Sequence, residues 1–199
     1  MNRRDHILAA ATRLFAERGY EGASMSDLAE RVGLRKASLF HHLASKDKLR
    51  EAVLERLVAG VGAAIAVAAS AEGSFEVRLD TLTAALVRVL ATHPYAARVI
   101  LREGMEWTSV ETGAIPVAVQ SVLGAAVEFV AAGQREGAFR SGDPAHMIVS
   151  LIGLHFMPFV IGGVVERLGG IQPFAESYVE ARVAAMTAQV RGLILASQA

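Results

Sequence analysis

Apolar residues recur at spacings of three and four along most of the chain, which is the period of an amphipathic α-helix. In the first segment Ile7, Ala11, Leu14 and Phe15 share one helical face. The alternation of apolar and polar residues that is typical of a half-buried strand is hard to find. The pattern therefore predicts an all-α chain.

Capping residues and glycines indicate where the first helices begin and end. Asn2 can cap the first helix with Asp5 at its third position, and Gly19 supplies a left-handed stop. Ser24 followed by Asp27 forms a variant of the capping box that opens a second, short helix. The pattern predicts further helices at about residues 36–43, 46–70, 75–92, 94–107, 116–135, 143–167 and 173–197.

Residues 24–46 have the spacing of a helix-turn-helix unit. Ala29 is a small residue where two helices would cross, and Gly33 follows four residues later in the turn. Apolar side chains close a miniature core at Leu28, Val32, Leu34 and Leu39. A short helix held rigidly across a supporting helix can enter the major groove of DNA, so the spacing predicts DNA binding.

Residues 7–54 resemble the tetracycline-repressor (TetR) family of transcriptional regulators. The resemblance is carried by the string ILAAATRLFAERGYEGASMSDLAERVGLRKASLFHHLASKDKL. Beyond about residue 57 it extends only to chain length and helical pattern. It implies an N-terminal three-helix DNA-binding domain, residues 1–46, joined to a larger helical domain for effector binding and dimerisation, residues 47–199.

The resemblance also implies which side chains contact DNA. Lys36, Ala37 and Ser38 open the recognition helix and would face bases, and Lys46 would hold a phosphate at the start of the fourth helix. Other side chains would touch the sugar-phosphate backbone: Phe40, His41 and His42 from the recognition helix, and Ser24 and Ser26 from the second helix.

Two residues depart from the family pattern. Arg35 stands where a serine or threonine most often caps the recognition helix, so a cation that can read a guanine or a phosphate replaces the hydroxyl cap. Phe40 stands where tyrosine is common, so the hydroxyl that would bond a phosphate is missing.

The distribution of charge places a nucleic-acid partner at the N-terminal end. The chain as a whole is neutral, with 20 Lys+Arg and 20 Asp+Glu, but residues 1–56 hold 11 basic and 8 acidic side chains. The absence of cysteine excludes disulfides, thiolate catalysis and cysteine-bound metals. The N-terminus lacks the apolar stretch of a signal peptide, so we expect a cytoplasmic protein without a cofactor.

The few large side chains of the C-terminal part lie among many alanines and glycines and can therefore enclose a cavity. The resemblance implies an effector pocket between helices four and eight. The candidates for ligand contact are Tyr95, Met105, Trp107, Phe129, His155, Phe156 and Phe159. Taken singly, each of them is also consistent with plain core packing.

The last helix carries a heptad seam that predicts a homodimer. Its apolar residues recur at spacings of four and three: Val179, Val183, Met186, Val190 and Leu193. The alternative is that this seam packs against its own chain. A seam at the end of the chain, after an unusually apolar helix, favours a two-fold four-helix interface.

The resulting hypothesis is a ligand-responsive regulator, with repression as its expected action, that binds a palindromic operator and is released by an apolar small molecule. Two alternatives remain. An enzyme would use His93, Glu103, Glu106 and His155 as acid–base groups. A membrane protein would explain the mean hydropathy of +0.37 and the uncharged run at residues 144–165, for which we favour a buried helix kinked near Pro158 and expect no membrane.

Overall fold

The computed structural model describes residues 2–109 and 116–196, and of residues 107–109 it describes the backbone only. Within these ranges the chain forms ten helices. They are α1 (Arg3–Arg18), α2 (Met25–Arg31), α3 (Lys36–His42), α4 (Lys46–Ser70), α5 (Phe75–Thr92), α6 (Ala96–Ser109), α7 (Val117–Arg135), α8 (Pro144–Val160), α9 (Gly162–Gly169) and α10 (Glu176–Ile194). The all-α prediction is confirmed.

The predicted caps of the first two helices are present. The backbone N–H of Asp5 donates to the side-chain oxygen of Asn2 over 2.8 Å, and the Asp5 carboxylate accepts from the Asn2 backbone. Ser24 and Asp27 form the same reciprocal pair at the start of α2. Each pair satisfies backbone donors that have no partner inside the helix, which defines where the helix begins.

The buried side chains form two main clusters along the long axis of α4. The first cluster joins α1, α2 and α3 to the beginning of α4, through residues such as Leu49 and Val53. The second cluster joins the end of α4, through Ile65 and Ala68, to α5, α7, α8 and α10. Because α4 belongs to both clusters, it is a continuous structural link between the N-terminal and C-terminal parts.

Helix α6 is a second link between the two parts. Its first residues, Ala96 and Val99, are buried in the first cluster, and Ala97 is buried in the second. Gly19 ends α1 at a φ of +74°, in the region that favours glycine, and the guanidinium of Arg102 on α6 lies beside it. A movement of α6 would therefore change the contact between Arg102 and the end of α1.

The predicted helix at 143–167 is two helices. Helix α8 continues through Pro158 and ends at Val160, Ile161 follows as its C-cap, and α9 then departs at an angle of 58°. Gly162 begins α9 where a side chain would crowd Pro173, so the chain bends at its glycines and not at the proline. The uncharged run at residues 144–165 is accordingly divided between two helices that point in different directions.

Two helices, α4 and α7, are long and apolar enough to cross a membrane, and the bent pairs α5–α6 and α8–α9 pass the same test when each pair is taken together. Buried side chains of α4 are divided between the first cluster, toward its beginning, and the second cluster, toward its end. Of the apolar window of α4, 50% is buried inside the protein, against 22% for the window of α7.

Candidate nucleic-acid interface and effector cavity

The second and third helices pack as a helix-turn-helix unit. Gly33 occupies the turn with a φ of +63°, and the backbone N–H of Leu34 donates to the carbonyl of Ala29 over 2.8 Å. Leu28 and Leu39 are fully buried between the helices. This local packing holds α3 by one face and leaves its other face toward solvent.

The exposed face of α3 carries most of the side chains expected at DNA. Those that lie at the surface are Arg35, Lys36, Ala37, Phe40, His41 and His42, and Ser38 is half-buried. Arg35 makes no capping hydrogen bond with its side chain, in keeping with the departure seen in the sequence. Contact between these side chains and DNA stays a prediction.

The three remaining DNA candidates surround α3. Ser24 and Ser26 are exposed on α2, although the Ser24 hydroxyl already caps that helix and donates to Asp27 over 2.8 Å. The Lys46 ammonium lies 4.2 Å from the centre of the Tyr20 ring and 3.4 Å from the carbonyl oxygen of Glu21. Lys46 is thus oriented by the turn between α1 and α2.

A group of charged side chains that sequence reasoning missed joins α4 to α6. Arg50 on α4 donates to the carboxylates of Glu103 and Glu106 on α6, over 2.6 and 3.0 Å. The same guanidinium lies 4.4 Å from the centre of the Tyr20 ring, and the Tyr20 hydroxyl donates to the Asp47 carboxylate. We call these five residues the interdomain cluster.

Burial shifts the pKa values of two side chains in the interdomain cluster. Glu103 is only 4% exposed, and burial raises the pKa of its carboxyl, an effect that Arg50 partly offsets. Burial, with the hydrogen bond to Asp47, also raises the pKa of the Tyr20 hydroxyl. The interdomain cluster was difficult to predict from the sequence because Arg50 and Glu103 are 53 positions apart on different helices.

An apolar cavity of about 210 Å³ lies beside the interdomain cluster, on the other side of α6. Helix α6 contributes Ile100, Leu101 and Gly104 to its wall. The rest of the wall comes from α4, α5, α7, α8 and α10, and the side chains are branched aliphatics, with Thr83 and His155 as the polar ones among the described residues. Such a wall suits a largely hydrocarbon ligand.

The predicted ligand contacts are only partly placed at this cavity. His155 and Phe156 line it. Phe129 instead packs with Phe75 and Phe139, at centroid separations of 5.7 and 5.8 Å. These rings fill space between helices, so Phe129 is a core residue and its assignment to the cavity is wrong.

Three further aromatic or methionine candidates also lie away from the cavity wall. Phe159 packs against Phe174, and Tyr95 lies against the first buried cluster with Arg13 over its ring. Met105 is 66% exposed. The assignment of these three to the cavity is wrong because the aliphatic positions, which gave no distinctive sequence signal, form the wall. The Trp107 side chain lies outside the described residues.

His155 is held in one orientation within the wall. It is 4% exposed, and its Nδ1 lies 2.8 Å from the carbonyl oxygen of Leu151, one turn earlier in α8. Burial lowers the pKa of the imidazole, and the positive charge of Arg182 lowers it further. His155 is therefore neutral at physiological pH.

The residues of the enzyme alternative are not arranged as an acid–base site. Glu103 and Glu106 bind Arg50, whereas His155 faces the cavity and His93 is exposed at the end of α5. Within residues 2–106 and 116–196, histidine and acidic side chains form no group of three that could hold a metal ion. The geometry supports structural and binding roles for these residues.

The heptad seam of the last helix is internal to one chain. Val179, Met186 and Val190 are buried in the second cluster, where α10 packs on α5, and Val183 and Leu193 are half-buried against the same cluster. The buried Val179, Met186 and Val190 are therefore not available to a partner, whereas the assignment of Val183 and Leu193 to a dimer interface stays a prediction. The exposed face of α10 is instead a row of small residues, at Ser177, Ala181, Ala184, Ala188 and Gly192.

The helix-turn-helix region matches a known family. Residues 7–53 match the family model described as bacterial regulatory proteins, tetR family. Over these residues the chain is therefore similar to the DNA-binding region of that family. The match covers the three helices of the first buried cluster and the beginning of α4, which is the part that presents α3 to solvent.

Curated HTH-type transcriptional regulators are similar to part of the chain. The transcriptional activator FasR of Mycolicibacterium smegmatis is 43% identical over 67 residues, which are 32% of this chain and 31% of that protein. The transcriptional repressor KstR2 of the same species is 40% identical over 53 residues, 27% of this chain and 26% of that protein. The matches thus span less than a third of these relatives, and the two relatives act in opposite directions.

Solved structures share the fold over nearly the whole chain. The ketosteroid regulator KstR2 of Mycobacterium tuberculosis superposes with a TM-score of 0.75 at 20% identity, covering 98% of this chain and 96% of that one. AibR, in complex with isovaleryl coenzyme A and operator DNA, gives a TM-score of 0.69 at 20% identity, with 95% and 98% covered. At this identity the likeness shows the fold alone.

We expect Arg50→Met to destabilise the protein in a pH-dependent way, because it leaves Glu103 buried without its cation. The loss should be about 2–4 kcal/mol at pH 8, where the carboxyl is charged. A carboxyl pKa raised by burial favours the folded state below the ordinary pKa of glutamate, and this contribution disappears as pH rises through the folded pKa. The loss should therefore shrink as the pH falls toward 5, as measured by urea unfolding.

Arg88→Met is the matched control, since Arg88 makes an exposed ion pair with Glu180 on α10. Its loss should be below about 1 kcal/mol and nearly independent of pH in this range. Adding Glu103→Gln to Arg50→Met should remove the pH dependence. Equal, pH-independent losses in Arg50→Met and Arg88→Met would show that the interdomain cluster is not a buried charge site.

Proposed function

We propose that this TetR-family protein is a transcriptional repressor that binds a palindromic operator as a homodimer and is released by an apolar small molecule. The observation that carries the proposal is the double role of α6. This helix presents Ile100, Leu101 and Gly104 to the cavity and Glu103 and Glu106 to Arg50. A ligand and the DNA-binding part therefore act on the same helix.

Helix α3 is suited to reading DNA bases. Its exposed face can enter a major groove about 12 Å wide, with Lys36 and Arg35 at the end that would reach base edges. In a two-fold dimer the two copies of α3 would meet half-sites about 34–36 Å apart. The names of the curated relatives, which are transcriptional regulators, support this use of the matched region.

Two neighbouring helices offer a surface for dimerisation. The outer side of α8 exposes apolar residues, of which Val149 is 69% and Met157 45% exposed. The small residues of α10 lie on the adjacent exposed face, and α8 and α10 are in contact. Small side chains allow close approach of helices, so a second copy could bury both faces in a four-helix interface.

Ligand binding would change DNA affinity by a shift between two arrangements of α6. A ligand that pushes on Ile100 or Leu101 would displace Glu103, and Arg50 would follow because separation leaves both charges poorly solvated. Arg50 contacts Tyr20 at the base of the helix-turn-helix unit. The spacing of the two recognition helices would then no longer match the operator. The structure of AibR in complex with isovaleryl coenzyme A and operator DNA supports the proposal that a protein of this fold binds both a small molecule and DNA.

We expect Lys36→Ala to weaken operator binding and to relax the preference for at least one base pair. A side chain that reads a base contributes about 1–3 kcal/mol of discrimination. The operator can be selected from random DNA with the wild-type protein, and fluorescence anisotropy then gives the affinity of each variant. Binding should also weaken steeply as salt rises, because phosphate contacts release counterions.

Arg135→Ala removes one cation of equal charge from α7, where Arg135 pairs with Glu128 far from α3 in sequence and fold. It should leave both affinity and base preference unchanged. Failure to select any operator, or equal effects of the two substitutions, would contradict the proposed DNA-reading surface.

We expect Val149→Glu to convert the dimer into a monomer. A two-fold interface brings the same surface of both copies together, so the substitution would bury two carboxylates near each other. Light scattering should report a mass near 21.1 kDa for the variant and twice that for the wild type.

Val77→Glu on α5 is the control, because Val77 is also exposed, at 53%, but lies outside the α8–α10 surface. It should remain dimeric. A folded dimer of Val149→Glu would place the interface elsewhere, and a monomeric wild type would contradict dimerisation itself.

A further inference from the structure

His155 is the residue of the cavity wall that packing alone does not explain. The described residues contain four buried polar or charged side chains: Thr12, Thr83, Glu103 and His155. Thr12 donates to the carbonyl of Leu8, and Glu103 binds Arg50. Nε2 of His155 is buried and has no hydrogen-bond partner among the described residues. Buried polar atoms are normally paired, so this atom calls for an explanation.

The chemical role of this nitrogen follows from the other side of the ring. A carbonyl oxygen can only accept, so the contact between Nδ1 and the Leu151 carbonyl places the proton on Nδ1. Since the buried ring is neutral, Nε2 carries a lone pair and can only accept a hydrogen bond. Its partner must therefore be a donor.

The surroundings of His155 limit what that donor can be. Apart from Thr83, the described side chains of the wall are aliphatic, aromatic or glycine, and none of them carries a formal charge. A carboxylate or phosphate would lose its hydration there and find no counter-charge in the wall, because Arg182, whose charge acts on His155, donates to the carbonyl of Leu154 and does not line the cavity. A water molecule needs two to four polar partners, which a wall of this kind hardly supplies.

We propose that the cavity takes a neutral, largely hydrocarbon alcohol, and that Nε2 of His155 accepts the hydrogen bond of its hydroxyl group. The inference rests on the proposed function, since it names the chemical class of the effector for the same cavity. At about 210 Å³ the cavity exceeds the apolar cavity of about 150 Å³ that accommodates benzene, so a chain or ring of somewhat larger size is a suitable probe.

The test compares alcohols with their methyl ethers, which keep the oxygen but lose the donor. The probes are n-octanol and cyclohexylmethanol, each with its ether, and octanoate as the charged analogue. Calorimetric titration of the full-length wild type should give an affinity about tenfold higher for each alcohol than for its ether. Octanoate should not bind measurably at neutral pH.

Two substitutions in the same wall test which side chain causes the preference for alcohols over their ethers. His155→Phe keeps a ring and removes the acceptor, so alcohol and ether should bind equally. Thr83→Val removes the other polar group at nearly constant volume and should retain the tenfold preference. In the wild type, n-octanol should also shift the ¹⁵N resonance of His155 Nε2, a readout that needs no variant to fold.

The outcomes separate this inference from the proposed function. Equal affinity of wild type for alcohols and ethers, or a preference that vanishes in Thr83→Val and persists in His155→Phe, would overturn the hydroxyl inference. If either probe class still releases the selected operator, the regulator function stands. If no probe binds, both the alcohol inference and the cavity's role as effector site fail, whereas operator binding through α3 is judged separately.

Discussion

The buried ion pair between Arg50 and Glu103 is the contact on which the proposed communication between the two parts of the molecule depends. Glu103 is buried on α6, and the cation that compensates its charge comes from α4. Separating the pair would leave a buried carboxylate with only the weaker influence of Arg102, which is unfavourable. In the proposed mechanism α4 and α6 would therefore move together, and Tyr20, which lies against Arg50, would connect that motion to the helix-turn-helix unit.

Under the proposed function, the same contact would let a cavity with an almost wholly apolar wall influence a charged surface on another part of the molecule. Helix α6 turns its aliphatic residues to the cavity and its carboxylates to Arg50, so a change of shape on one side would displace charge on the other. Helix α3, by contrast, is held through the buried Leu39 and presents exposed side chains to solvent. Its position is set by the helices behind it, which suits a reading helix whose spacing must be adjustable.

Sequence reasoning succeeded where the signals are local. Capping pairs and Gly33 define α2 and the turn before α3 within a few residues, so the helix-turn-helix unit was predictable. It failed where side chains meet across the fold. Val179, Met186 and Val190 have heptad spacing, but their partner is α5 of the same chain, and spacing does not reveal which helix a seam meets. The cavity wall was missed for a related reason, because leucines and valines at a cavity have the same pattern as those in a filled core.

Distance measurement between the two recognition helices of a dimer tests the central claim most directly. The chain has no cysteine, so Ala44→Cys, at an exposed position between α3 and α4, accepts one spin label per protomer without background. With the selected operator bound, double electron–electron resonance should give one narrow distance distribution. Saturation with n-octanol in the absence of DNA should move the distribution away from that value, and His155→Phe should weaken the shift. Identical distributions with and without ligand, under conditions where calorimetry shows the cavity occupied, would contradict coupling through α6 and Arg50.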